Sequence, residues 1–271
     1  MSATTATKVP ARGGFSVTRT LHLARWNAVL LVRNRLALTY ALVMPLAPLL
    51  TLLAGERGLT SLGATAVAGV LLLAGLFPVF YNVLSQFVSR RDELVLKRMR
   101  TGETRDAELL TAIALPGVAC ALLTTAVAVP VAVVAGQDAP VNVLLFALGA
   151  LLSVVMFAAF AYWTAAWTRS AEAAQLTSLP VIVLASVGPF VGGLPSLSDP
   201  LREAISLTPG AAVNELVRVG WFGLDSFDAT TTTLTFAETW SLAGQPLVVL
   251  VVWTGLALQL AQRSMRWEPR T

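Results

Sequence analysis

Few side chains in this sequence are suited to chemistry. Its 271 residues include one His and one Cys, His22 and Cys120, which excludes a disulfide framework, a structural zinc cluster and a Cys/His catalytic set. Neither of the two lysines, Lys8 and Lys97, follows a glycine, whereas a phosphate-binding loop requires Gly-x-x-x-x-Gly-Lys-[Ser/Thr]. We therefore expect no catalytic residue, no metal and no other cofactor on this chain.

The elements that must position the remaining polar residues are long apolar stretches. The sequence is 56% hydrophobic and 13% charged, with a mean hydropathy of +0.72, unlike the composition of soluble domains. Six stretches approach the roughly 20 apolar residues that a spanning helix needs. They lie at residues 36–54, 63–88, 109–135, 143–168, 175–194 and 245–261. They predict an all-α polytopic membrane protein with six transmembrane helices, and their uncharged interiors disfavour coupling to a proton gradient.

Basic residues are concentrated on one side of the predicted membrane. Only Arg57, Arg202 and Arg218 fall in segments on the opposite side, and the other 16 of the 19 Lys and Arg residues flank the first side. Because basic residues favour the cytoplasm, we expect both termini there, including residues 262–271. The net charge of +4 then reflects orientation and not a nucleic-acid partner. The preference for Arg over Lys indicates a bacterial genome, and hence a multi-pass protein of the bacterial plasma membrane.

The N-terminal segment, residues 1–35, divides into a polar tail and an amphipathic stretch. Apolar residues recur at helical spacing at Val17, Leu21, Ala24, Ala28 and Leu31. This spacing predicts a helix over residues 16–35 that lies in the cytoplasmic interface of the membrane.

A short charged helix is predicted directly after the second span, at residues 89–101. Ser89 and Asp92 form a start like that of a capping box, and Gly102 supplies a stop. Acidic residues nearly balance the basic ones in this region. The balance favours docking to a cytoplasmic protein, whereas a basic juxtamembrane segment attracted to anionic lipid is the alternative.

The long segment between the fifth and sixth spans, residues 195–244, faces the exterior in this topology. It predicts two short helices, at residues 199–207 and 211–221, separated by Thr208-Pro209-Gly210. Trp221 and Phe222 are residue types that favour the membrane interface, and we expect them there.

Three segments resemble one transporter family. Residues 95–100, Val-Leu-Lys-Arg-Met-Arg, are similar to the Val-Leu-Lys-Arg-Leu-Arg stretch of the ATP-binding-cassette (ABC) type-2 permeases of daunorubicin-resistance type. Residues 186–195, rich in Gly and Pro, resemble the family's exit from its fifth span, and residues 263–269 resemble its Arg-Trp-Glu C-terminus. After residue 100 this chain has Thr-Gly-Glu, where the family has Thr-Pro.

The resemblance implies a permease domain over residues 36–261 that pairs with a second permease subunit in the lipid bilayer, as a homodimer or a heterodimer. Two copies of a separate ABC ATPase subunit would hold ATP and Mg. Residues 89–101 would be the coupling helix seated in that ATPase, with the N-terminal helix beside it. The expected contact residues are Arg91, Asp92, Glu93, Leu96, Lys97 and Arg98.

Polar and aromatic residues of spans 2 and 5 are candidates for a solute path, because the resemblance implies that these two spans line the cavity. The predicted path residues are Phe77, Asn82, Gln86 and Ser186. Hydrogen bonding between neighbouring helices is the alternative role of their polar groups.

The outer end of span 5 contains a Gly-x-x-x-Gly step that permits close helix approach. In a dimer it would form a closed external gate made of Gly188, Phe190, Gly192 and Leu194. Ordinary packing within one chain is the alternative. The resemblance also suggests that the two external helices partly re-enter the membrane as a lid.

The expected function is export of a hydrophobic or amphiphilic drug or antibiotic, which would confer antibiotic resistance. Export of a lipid or a polysaccharide is the alternative within the same family. An ion-gradient-driven carrier and a non-transporting sensor or assembly protein are alternatives from other classes.

Overall fold

The computed structural model describes residues 14–100, 104–170, 172–191, 197–225, 231–265 and 267. Every regular element among them is helical, which confirms the predicted all-α class. A 3₁₀ segment, Met44–Leu50, and a π-helical segment, Gly75–Tyr81, interrupt the α-helices. The α-helices are α1 (Val17–Arg33), α2 (Arg35–Val43), α3 (Thr51–Ala54), α4 (Thr60–Ala74), α5 (Asn82–Asp92), α6 (Val95–Arg100), α7 (Asp106–Val134), α8 (Val143–Trp167), α9 (Ala174–Thr177), α10 (Leu179–Val191), α11 (Asp199–Ser206), α12 (Pro209–Gly220), α13 (Phe236–Leu242) and α14 (Gly244–Ser264).

Five helical stretches in the described part of the chain are long and apolar enough to cross a membrane. They are Arg35–Ala54, Thr60–Asp92, Asp106–Val134, Val143–Trp167 and Gly244–Ser264, and they coincide with predicted spans 1, 2, 3, 4 and 6. The predicted fifth span falls on α9 and α10, which together form a shorter apolar stretch, Ala174–Phe190. A turn at Ser178 separates these two helices.

The second span is the centre of the bundle. In an apolar stretch of 18 residues within Thr60–Asp92, 72% of the residues are buried, against 22% in the corresponding stretch of the first span. Phe80 and Phe87 are completely enclosed, and α8 packs along this span. Large apolar side chains on the outer spans, such as Leu53 and Val134, are exposed instead. An apolar surface of this kind suits contact with lipid tails.

The π-helical segment lies at the middle of the second span, where neighbouring backbones come close. Pro78 lies within it and has no backbone N–H to donate. A Cβ atom on Gly117 of α7 would overlap the carbonyl oxygen of Pro78, and one on Gly75 would overlap the ring of Phe157 of α8. Two glycines therefore let α7 and α8 enclose the wide π turn.

The N-terminal helix is present, but it is rotated relative to the prediction. Helix α1 begins after Ser16, whose hydroxyl oxygen accepts from the backbone N–H of Arg19. Its buried face, which packs on α7, consists of Thr20, Ala24, Asn27 and Leu31. Val17 and Leu21 of the predicted stripe are exposed, because polar contacts to α7, described below, fix the rotation of the helix.

Three short helices lie in the described part of the predicted external segment, and the sequence predicted two of them, α11 and α12. Helix α12 begins earlier than expected, since Pro209 occupies its first turn and the hydroxyl oxygen of Thr208 accepts from the N–H of Ala211. It packs against α4, α8, α10 and α14. The placement of Trp221 and Phe222 at an interface is wrong: both are buried, and the Trp221 indole donates to the carbonyl oxygen of Asp138 at 3.0 Å.

Candidate functional site

The second span ends in a tight turn that leads into the short helix α6. Helix α5 runs through Ser89 to Asp92, so the predicted start at Ser89 is wrong. The break comes at Glu93 and Leu94, where Leu94 has a φ of 60°, a left-handed conformation that is uncommon outside glycine. The predicted stop at Gly102 lies outside the described residues. The charged segment therefore turns sharply directly after the most buried span.

Arg91 fixes this turn to the end of α8. Its side chain is fully buried, and its guanidinium donates to the carbonyl oxygens of Ala165 at 2.9 Å, Thr168 at 2.8 Å and Arg169 at 3.3 Å. The last carbonyls of a helix have no partner within it, so the guanidinium caps α8. The predicted direct contact of Arg91 with an ATPase does not fit this burial, because the side chain faces its own chain.

The remaining predicted coupling residues divide into one inward and four outward side chains. The inward side chain is that of Leu96 in α6, which is fully buried. The exposed residues are Asp92, Glu93, Lys97 and Arg98. Leu94 adds an apolar group that is 40% exposed. The turn and α6 thus present charges of both signs beside one apolar side chain, which are the features that a protein partner can recognise.

A polar ladder of four side chains connects the second span with α1. We define it as Asn82, Gln86, Arg90 and Asn27. Gln86 Nε2 donates to Asn82 Oδ1 at 2.8 Å, and Arg90 Nη2 donates to Gln86 Oε1 at 3.1 Å and to Asn27 Oδ1 at 2.7 Å. Asn27 Nδ2 in turn donates to the carbonyl oxygen of Ala112 on α7 at 2.6 Å. The ladder therefore ties α5, α1 and α7 together.

The structure brings some of the predicted path residues together and leaves one apart. Asn82 and Gln86 are bonded to each other, and the buried Asn82 Nδ2 has no hydrogen-bond partner among the described residues. Phe77 lies one turn earlier, stacked with Tyr40 at a centroid distance of 6.5 Å. Ser186 lies half-buried on α10, outside the ladder.

Of the residues in the predicted external gate, Gly188 has a packing role within the chain. A Cβ atom on Gly188 would overlap the backbone of Ala211 in α12, so this glycine serves packing within the chain. Phe190 is 73% exposed. Gly192 and Leu194 lie outside the described residues, and the gate as a whole stays a prediction.

A carboxylate holds the start of α1 against the start of α7. Glu108 Oε2 accepts from Arg19 Nε at 2.8 Å, and Glu108 Oε1 accepts from the backbone N–H of Ser16 at 2.7 Å. The Glu108 side chain is completely covered. These residues, like Asn27 and Arg90, were missed as site residues. Only Arg90 had a signal in the sequence, because it continues the four-residue spacing of Asn82 and Gln86.

The sequence matches a known protein family. The family model described as ABC-2 family transporter protein matches residues 50–261, which is most of the chain. The chain belongs to this family. No curated protein matches the sequence significantly.

The ABC-2 assignment confirms the family predicted from the sequence. It makes the chain a membrane transport subunit and not a catalytic one, and it implies association with an ABC ATPase and with a lipid bilayer. The matched range contains the Arg91 anchor, α6 and three of the four ladder residues. Helix α1, with Asn27 and Arg19, precedes the matched range.

Proposed function

We propose that this ABC-2 permease exports a hydrophobic or amphiphilic solute, and that residues 92–98 are the surface through which a separate ATPase drives it. In this proposal the protein lies in a bacterial plasma membrane with both termini in the cytoplasm. Two permease subunits pair, and two ATPase subunits hydrolyse ATP with Mg below them. The observation that carries the proposal is the exposed, charged turn at residues 92–98, fixed by a buried arginine beneath the central span.

The turn is suited to transmit movement because it is rigidly attached on two sides. Helix α5 continues without a gap from the π-helical segment, and Arg91 clamps its end to α8. A displacement of residues 92–98 by a closing ATPase would therefore move the second span and α8 together. A bound partner can shift a helix bundle between two conformations only if it contacts an element that differs between them.

The side chains at the middle of the second span suit a path for an amphiphilic solute. Phe77 is half-buried beside Tyr40 and Tyr81, and the amide pair Asn82 and Gln86 begins one turn below. An aromatic cluster next to uncharged polar groups matches a solute with apolar and polar parts. Among such solutes we propose a drug or an antibiotic, so that expression raises antibiotic resistance.

The topology can be tested with single cysteines. Cys120 is the only native cysteine, so Arg98→Cys and Glu203→Cys are each introduced with Cys120→Ala. We expect a membrane-impermeant maleimide to label the cysteine at 203, on exposed α11, in intact cells. The cysteine at 98 should react only after permeabilisation. Labelling at position 98 in intact cells would contradict the proposal, because no cytoplasmic ATPase could reach the turn.

The partnership is tested by co-purification with the ATPase encoded beside this gene. We expect the complex to form with the natural sequence and to be lost when Glu93→Arg and Arg98→Glu are combined. Solute export is tested in the same strains as accumulation of amphiphilic antibiotics. Equal accumulation with and without the complex would reject the export function.

A further inference from the structure

A cavity of about 210 Å³ lies between four helices of the external half. Residues of α11 and α12 supply most of its lining, together with Gly188 of α10 and Leu242 of α13. Ile205, Val219 and Leu224 supply apolar wall. The cavity is separate from the polar ladder and from the turn at residues 92–98.

Two polar side chains that receive no hydrogen bond from the described residues face this cavity. Asn214 lines it and is 9% exposed, and no hydrogen bond from any described residue reaches its amide. Glu215, half-buried at the next position, also lines the cavity and receives none within the described part of the chain. Both side chains can therefore bond to a ligand or to water in the cavity.

Two carboxylates and two arginines line the cavity, and they differ in their contacts. Asp225 adds a second carboxylate at its exposed rim. Arg202 and Arg218 have contacts of their own, and Arg218 also acts electrostatically on Glu215. Glu215 and Asp225 receive no hydrogen bond from the described residues, so both carboxylates can still accept N–H donors, and an ammonium group supplies such donors with the opposite charge. Hydrogen bonds between an ammonium group and a carboxylate are among the stronger ones in proteins.

We propose that this cavity binds the ammonium group of an amphiphilic amine, with the Glu215 carboxylate and the Asn214 amide oxygen as acceptors. The apolar wall formed by Ile205, Val219 and Leu224 accommodates the first carbons of its chain. The inference rests on the proposed export function where it names the solute class, since the cavity adjoins Gly188 at the outer end of α10. Binding itself does not depend on export and can be measured without an ATPase.

The test is calorimetric titration of the full chain, in nanodiscs of zwitterionic lipid, with hexylammonium chloride. Empty nanodiscs supply the baseline, and hexanol and hexanoate test the need for the charge. We expect saturable binding of hexylammonium only. The variant Glu215→Gln keeps the shape of the side chain and should weaken binding about tenfold or more, as expected for loss of a charge-assisted hydrogen bond in a half-buried site.

The matched control is Glu203→Gln, the same change at an exposed position of α11, which should bind like the natural protein. Asn214→Leu provides a second variant, with several-fold weaker binding expected, should Glu215→Gln fail to fold. Equal binding by the natural chain and by a folded Glu215→Gln or Asn214→Leu variant overturns the proposal, as does equal binding of hexanol. If binding is confirmed but the complex exports no amine, the site stands and the proposed solute class is rejected.

Discussion

The inner end of the second span and the external cavity are built in opposite ways. At the inner end, the buried Arg91 has carbonyl partners at 2.9 and 2.8 Å. In the external cavity, the buried Asn214 and half-buried Glu215 receive no hydrogen bond from the described residues. Several hydrogen bonds from one side chain to a helix end make a joint rigid, whereas polar side chains that face a cavity can still bond to a ligand or to water. This difference is what the two proposals predict: transmission of movement at the end of the second span, and ligand binding in the cavity.

The largest effect is expected from loss of the inner anchor. Arg91→Leu leaves the carbonyl oxygens of Ala165 and Thr168 without their donor, which we expect to cost about 3 kcal/mol of folding stability. The measurement is thermal unfolding in nanodiscs. Arg98→Leu, in the exposed part of the same turn, is the control and should change stability by about 0.5 kcal/mol or less. Equal effects of the two changes would show that Arg91 is not an anchor.

A similar but smaller effect is expected where α12 crosses α10. In Gly210→Ala, the added Cβ would overlap the backbone carbonyl of Ala185, so one helix must move, at a cost of about 1 to 3 kcal/mol. Gly255→Ala in α14 is the matched control because no atom lies within 4 Å of its added Cβ. It should leave unfolding unchanged or stabilise slightly. An unaltered unfolding midpoint for Gly210→Ala would contradict the close crossing.

The link between α1 and the second span should contribute less. Asn27→Leu removes the acceptor of Arg90 and the donor to the Ala112 carbonyl, with an expected cost of about 1 to 2 kcal/mol. We expect faster hydrogen exchange across α1, because the helix loses its central contact to α5. His22→Ala, on the exposed side of α1, is the control. Unchanged exchange in Asn27→Leu would remove Asn27 from the ladder.

The smallest effect is a pH dependence in the external cavity. Burial raises the pKa of the Glu215 carboxyl, and neighbouring Arg218 offsets this only in part. The Glu215 carboxyl therefore takes up its proton at a higher pH than an ordinary glutamate does. Protonation removes the charge that we assign to ammonium binding, so hexylammonium affinity should fall as the pH is lowered and this carboxyl becomes protonated.

The other charged groups that line the cavity are Arg202, Arg218 and Asp225; the two arginines are half-buried and Asp225 is exposed. The raised pKa also means that the folded chain binds this proton more tightly than the unfolded one. The Glu215 carboxyl therefore makes the fold more stable as the pH falls and this group takes up its proton. Both trends should disappear in Glu215→Gln, and affinity that is independent of pH in the natural chain would contradict the role of Glu215.

Most of the fold was predictable because long apolar runs leave a chain few choices in a membrane. Five spans lie where the long apolar runs placed them, and α11 and α12 lie close to the two helices predicted on either side of Thr208-Pro209-Gly210. The rotation of α1 was not predictable, because Arg19 pairs with a carboxylate, Glu108, far away in the sequence. Burial of Trp221 was missed for a similar reason, since its partner Asp138 lies in another loop.

The candidate site was predictable in position but not in detail. The charges of residues 92–98 marked the turn, yet a single sequence cannot show which arginine points inward. Arg91 and Arg98 have the same residue type and opposite environments, because only Arg91 lies opposite the end of α8. The external cavity gave no sequence signal at all, since its wall comes from four separate helices.

The most direct test of the account is ATP hydrolysis by the assembled complex carrying Glu93→Arg and Arg98→Glu. The matched control is Glu203→Arg, an equally exposed position on α11. We predict that the double reversal abolishes the increase in ATP hydrolysis that the permease gives its ATPase, while thermal unfolding stays unchanged. An increase equal to that of the control would contradict the claim that this turn couples ATP hydrolysis to transport.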